Sequence, residues 1–84
     1  MQTNLQPKKA IVWGQENCQY CDMAKNLLEQ NGYMIEERKI GMDEGNWTKE
    51  ALLRAIPSAR SVPQIVIDGN HIGGYPELRK MLAK

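Results

Sequence analysis

Apolar and polar positions alternate along the chain in two distinct rhythms. Lys9-Ala10-Ile11-Val12-Trp13 is a short β-branched and aromatic run that stops at Gly14, the pattern of a buried strand. A loop over Gly14 to Asn17 follows. From Gln19 to Asn31 the apolar residues Tyr20, Cys21, Ala24, Leu27 and Leu28 recur at helical spacing, with Asp22, Lys25 and Glu29 on the other side. Asn31-Gly32 ends this helix, as suits a C-terminus. Tyr33 to Ile40 mixes Tyr33, Met34 and Ile35 with four consecutive charges, Glu36 to Lys39, which an edge strand tolerates. After a loop over Gly41 to Asn46, Trp47 to Ile56 reads as a second helix with Ala51, Leu52, Ala55 and Ile56 on one face and Pro57 as its stop. Gln64-Ile65-Val66-Ile67 is a strand. Asp68-Gly69-Asn70 is a hairpin turn signal, and His71-Ile72 begins a short return strand broken by Gly73-Gly74. Pro76 suits the first position of a last helix, whose apolar stripe is Leu78, Met81 and Leu82. Residues 1–7 form a loose polar lead-in. The order strand, helix, strand, helix, strand, strand, helix predicts an α/β domain with one βαβ unit and a C-terminal hairpin.

Length and charge narrow the classes. The 84 residues make one small domain, residues 1–84. Eleven Lys and Arg balance ten Asp and Glu for a net charge of +1, whereas a nucleic-acid module carries a basic excess. No apolar run approaches the roughly 18 residues needed to span a membrane. The N-terminal stretch Met1 to Lys9 has no apolar core of the secretory type. The expectation is a cytoplasmic protein that binds neither nucleic acid nor membrane.

The two cysteines carry the candidate chemistry. They stand as Cys18-Gln19-Tyr20-Cys21, too few for a disulfide-stapled scaffold of about four to eight cysteines. A bond between them closes a very small loop and constrains the unfolded chain little. A structural zinc needs about four ligands, and the lone His71 lies far along the sequence, so no metal is expected. Cys18 precedes the first helix and Cys21 falls one turn inside it. Free N–H groups and the helix dipole at that end favour a thiolate over a thiol. The placement predicts a depressed pKa at Cys18, the condition for nucleophilic attack on a disulfide, with the less exposed Cys21 resolving the mixed disulfide. The bland alternative is a pair of buried cysteines packed as small apolar groups.

Two further segments complete the set. Pro63 in Ser61-Val62-Pro63 immediately precedes a strand. A cis Val62-Pro63 bond would present the Val62 backbone for strand-like pairing with a peptide thiol. From backbone energetics alone an ordinary trans bond is favoured. Gly73-Gly74-Tyr75-Pro76-Glu77 leads into a helix N-terminus, an anion site, where Glu77 either accepts from a ligand ammonium or only complements the helix dipole.

Together these segments resemble the glutaredoxin family. Cys18-Gln19-Tyr20-Cys21 is similar to its C-P-Y-C site, Ser61-Val62-Pro63 to its T-V-P loop with a cis-proline, and His71 to Leu78 to its H-I-G-G-x-x-D-L segment. The likeness covers residues 9–83. It implies a thioredoxin-like fold, with a four-stranded mixed sheet and three flanking helices. It also implies a glutathione-dependent thiol-disulfide oxidoreductase acting as a monomer on disulfide-containing proteins, ribonucleotide reductase among them, and on glutathione mixed disulfides. By the same resemblance, Val62 pairs with the glutathione cysteine. Gly74, Tyr75 and Glu77 meet the γ-glutamyl carboxylate and ammonium, Tyr20 lines the groove, and Ser61 and Pro63 shape the loop. His71 is a strand residue near the turn, Trp13 a core residue and Trp47 an anchor of the second helix.

Glu77 for the family's Asp keeps the charge with a longer reach, and three other departures bear on the site. Gln19 replaces the proline after the first cysteine, as in family members that hold a [2Fe–2S] cluster between two subunits with glutathione. Gln15 replaces a lysine that is a basic partner for the glycine carboxylate and the thiolate, with Arg60 as the candidate substitute. Pro76 removes one N–H from the carboxylate cradle. These departures predict glutathione binding of reduced affinity. They leave three alternatives: a redoxin reduced by thioredoxin reductase, a cluster carrier with Cys18 as ligand, and a plain binding module on the same scaffold.

Overall fold

The computed structural model describes residues 8–83, and the expected loose lead-in over residues 1–7 lies outside them. Strand β1 runs Lys8–Gln15, helix α1 Gln19–Gln30, strand β2 Tyr33–Ile40, helix α2 Lys49–Ala55, strands β3 and β4 Gln64–Ile67 and Asn70–Gly73, and helix α3 Tyr75–Leu82. The sheet order is β2-β1-β3-β4. β1 pairs in parallel with β2, from Lys8 opposite Tyr33 to Gln15 opposite Ile40. On its other side it pairs antiparallel with β3, from Ala10 opposite Ile67 to Trp13 opposite Gln64. This is the four-stranded mixed sheet with three flanking helices expected of a thioredoxin-like fold. No helix among the described residues is long and apolar enough to cross a membrane.

The alternation of β1 and β3 divides the core. Ala10, Val12, Ile65 and Ile67 face one side with Ala24 and Leu28 of α1 and Leu78 of α3. Trp13 faces the other side with Leu52 and Ile56, beside Val62 and Val66. Helices α1 and α3 thus share one face and α2 covers the other, because side chains along a strand alternate between faces. The hairpin turn has Asp68 at φ 53° and Gly69 at φ 78°. Two positive φ values in a two-residue turn match the twist of the strands it joins.

Four expectations are corrected. β1 does not stop before Gly14, since Gly14 and Gln15 pair with Lys39 and Ile40. A Cβ at Gly14 would lie 3.1 Å from Cys21 Sγ, so this glycine lets α1 approach the strand. The second helix starts at Lys49, because the Thr48 side chain caps it by accepting from the Ala51 N–H at 3.0 Å. Trp47 is therefore extended backbone bridged to Ile40. It packs edge-on against buried Trp13, with centroids 5.2 Å apart, and is not a helical anchor. α3 begins at Tyr75, with Gly74 as N-cap and Pro76 at the second position, where the absent N–H costs no helical bond. The Val62–Pro63 peptide bond is cis, as the family resemblance implied and against the trans bond that backbone energetics favoured.

Candidate active site

Cys18 is the N-cap of α1 and Cys21 lies in its first turn. The Cys21 N–H donates to Cys18 Sγ at 3.1 Å, and the Asp22 N–H donates to the Cys18 carbonyl at 3.1 Å. The N-cap sulfur therefore takes a donor that the first helical turn leaves without an internal partner. The same donor and the helix dipole stabilise negative charge on Sγ once the bond to Cys21 is reduced. In the structure the two sulfurs form a disulfide. Cys21 is 1% exposed and Cys18 is half-buried. Cys18 is consequently the sulfur open to solvent, and Cys21 lies behind it.

Tyr20, 58% exposed, leads from the cysteines into a groove of about 580 Å³. The Arg60-Ser61-Val62-Pro63 segment forms one wall and Gly74, Tyr75 and Glu77 form the other. Two close approaches hold the walls together. A Cβ on Gly74 would sit 3.3 Å from the Pro63 carbonyl oxygen, so a larger residue would press on the cis-proline turn. The Tyr20 and Tyr75 rings lie 5.8 Å apart in a tilted pair across the mouth. Glu77 Oε1 accepts the Gly74 N–H at 2.9 Å, which caps α3 and fixes the carboxylate at the groove.

The sequence profile described as Glutaredoxin matches residues 10–72. The chain belongs to the glutaredoxin family. It is 36% identical over 73 residues to Glutaredoxin 3 of Escherichia coli K12, covering 87% of this chain and 84% of that protein. Two other relatives are longer. The match to hybrid peroxiredoxin hyPrx5 of Haemophilus influenzae is 35% identical and covers 86% of this chain but 28% of that protein. For Glutaredoxin-C4 of Arabidopsis thaliana the figures are 33%, 79% and 49%. Among solved structures, Glutaredoxin 1 from Francisella tularensis superposes with a TM-score of 0.69 at 31% identity, covering 92% of this chain and 99% of that one. A buckwheat glutaredoxin–glutathione complex gives 0.71 at 28% identity, covering 87% and 66%. Family membership and a bonded Cys-x-x-Cys at a helix start make this chain a thiol-disulfide oxidoreductase.

The sequence-derived site residues divide into two places. Tyr20, Arg60, Ser61, Val62, Pro63, Gly74, Tyr75 and Glu77 all line the one groove. Gln15 lines a neighbouring depression of about 680 Å³ on the α2 side, which also reaches Arg60, Ser61 and Val62. Arg60 therefore borders both and lines the same depression as Gln15. Gln64 and His71 also line the groove, although the sequence pattern marks them only as strand residues. A glutamine heading an otherwise Ile-Val-Ile strand was the available signal, because a buried polar side chain requires a partner. Among the described residues, two ionisable groups away from the groove are clearly shifted, Lys25 on the α1 face of the sheet and Glu36 on the opposite face of β2. The hydrogen bond to Glu37 raises Lys25 above the ordinary lysine value, and the hydrogen bond from Lys9 lowers Glu36 below the ordinary carboxylate value. No group of three or more His, Cys, Asp or Glu side chains among the described residues converges as a metal site.

Proposed function

We propose that the protein is a glutathione-dependent reductase of glutathione mixed disulfides and of protein disulfides, acting as a monomer in the cytoplasm. The observation that carries this reading is the single groove. It sets the cis Val62–Pro63 turn against the start of α3, with Tyr20 linking it to the cysteines. A γ-glutamyl-cysteinyl-glycine tripeptide needs three things from such a groove. Its extended cysteinyl backbone needs a strand-like partner, supplied by Val62 just outside the β1–β3 ladder. Its α-carboxylate needs unpaired N–H groups, supplied by the first turn of α3. Its ammonium needs an anion, and Glu77 keeps Oε2 for it while Oε1 caps the helix.

The chemistry balances without another cofactor. The Cys18 thiolate attacks the glutathionyl sulfur of a mixed disulfide, forming Cys18–S–S–glutathione and releasing the substrate thiolate, which takes a proton from water. A second glutathione thiolate attacks that bond, releasing oxidised glutathione and restoring Cys18. With a protein disulfide, Cys18 forms a mixed disulfide to the protein. Cys21 then displaces the protein as a dithiol, leaving Cys18–Cys21 oxidised, and two glutathiones reduce this bond. Ribonucleotide reductase is among the disulfide-containing proteins proposed as partners.

The test is a coupled turnover assay on a small glutathione mixed disulfide, with NADPH, glutathione and glutathione reductase. A parallel arm replaces the last two with thioredoxin reductase. Turnover in the first arm alone is expected. Turnover only in the second would assign the protein to the thioredoxin-reductase-fed redoxins, and would make Gln15 and Pro76 losses of the glutathione site. A brown colour with visible absorption after anaerobic purification would instead favour the cluster carrier.

A further inference from the structure

We propose that His71 and Gln64 are positioning residues of the thiol-binding loop, a hydrogen-bonded relay that holds the Ser61 carbonyl and thereby the Val62 backbone in register with substrate. Gln64 is 8% exposed and is the buried polar residue of the described core. Its Nε2 donates to the Ser61 carbonyl at 2.8 Å. That bond fixes the orientation of the amide, since only nitrogen can face a carbonyl oxygen. Oε1 is consequently turned toward His71, whose Nε2 lies 2.7 Å away. An amide oxygen cannot donate, so His71 Nε2 must carry the hydrogen.

The relay depends on the register of the hairpin, which has one irregularity. Ile65 pairs with Gly73, yet Val66 pairs with His71, so β4 has one extra residue, Ile72, between these pairs. Paired residues on antiparallel strands share a face, and residues two apart on one strand share a face. Val66 and Gln64 therefore lie on one face, and the two-residue turn, which sets Ile67 opposite Asn70 and Val66 opposite His71, puts His71 there too. The bulge at Ile72 lies beyond His71 and brings Gly73 opposite Ile65. Gly73 has φ 126°, and a Cβ there would lie 2.9 Å from Glu77 Cγ, so the glycine admits both the bulge and the α3 cap. The cis-proline loop is thus held at two points, by His71 of β4 through Gln64 and by the close approach of Gly74, the N-cap of α3, to Pro63.

The consequence for turnover rests on the glutathione reading above, but the consequence for the loop does not. His71 is exposed, so its replacement leaves the core intact. The experiment compares the wild-type protein with His71→Leu, which removes the donor, and with His71→Gln, whose amide nitrogen reaches as far as Nε2. Amide hydrogen exchange at Ser61 and Val62 reads the loop, and KM for the glutathione mixed disulfide reads binding. The alkylation rate of reduced Cys18 reads the thiol. Expected for His71→Leu are faster exchange, a KM raised about five-fold, as loss of one hydrogen bond gives, and unchanged alkylation. His71→Gln should restore exchange and KM. Unchanged exchange in His71→Leu would overturn the proposal, as would a failure of His71→Gln to restore it, or a change confined to Cys18 alkylation. Wild-type protein idle with glutathione would refute the functional reading alone, and the exchange data would still decide the relay.

Discussion

At the scale of single residues, the chemistry is set by which sulfur is exposed and which donor reaches it. Cys18 holds the end of α1 and receives the Cys21 N–H, while Cys21 is 1% exposed against Gly14. The two thiols are therefore not interchangeable. Cys18→Ser is expected to abolish all turnover. Cys21→Ser should retain reduction of glutathione mixed disulfides, where glutathione itself resolves the intermediate, and lose reduction of protein disulfides. A Cys21→Ser protein inactive on both substrates would contradict this division of roles. Thiolate absorbance in Cys21→Ser should also titrate below the free-thiol value of about 8.5. A midpoint at or above it would remove the helix-start argument.

Elements rather than residues decide how the groove is assembled, and α2 is the most exposed to test. It has seven residues and one buried apolar side chain, Leu52. A helix this short depends on packing and capping rather than propensity. Thr48→Ala removes the bond to the Ala51 N–H and should cost about 1 kcal/mol of stability in denaturant titrations, with little change in the reactivity of Cys18 on the opposite helix. The elements themselves were legible in the sequence because their apolar periods differ, and β2, β3 and the extent of α1 match the pattern. The start of α2 was not, since Trp47 and Ala51 imitate helical spacing while Trp47 packs on Trp13 and under Arg38, whose guanidinium lies 4.4 Å from the Trp47 ring. Most of the groove was legible through the family motifs. The Gln64–His71 relay was not, because the Asp68-Gly69 turn places His71 opposite Val66 but no side-chain pattern announces that an exposed histidine and a strand-heading glutamine bond to each other.

For the molecule as a whole, the site is distributed over chain segments that only the sheet brings together. The dithiol follows β1, the cis-proline turn precedes β3 and the groove wall at the start of α3 follows β4. The free energy of folding and the chemistry of Cys18 are therefore linked. If the folded protein holds the Cys18 thiolate below its unfolded pKa, the reduced form gains stability that is full above the unfolded value of about 8.5. This gain is lost as pH falls through the folded midpoint. Cys21, buried beside Gly14, has the opposite sign. Burial raises a thiol, so its contribution is constant below the unfolded value and declines only above it. The oxidised form has neither titration, and every other ionisable side chain is common to both forms. The difference in melting temperature, reduced minus oxidised, should accordingly decrease as pH is lowered from about 8.5 through the Cys18 midpoint, then level off. Calorimetry of the two forms across that range measures it. A difference independent of pH would mean that folding contributes nothing to the thiolate, and that the reactivity of Cys18 must come from exposure alone.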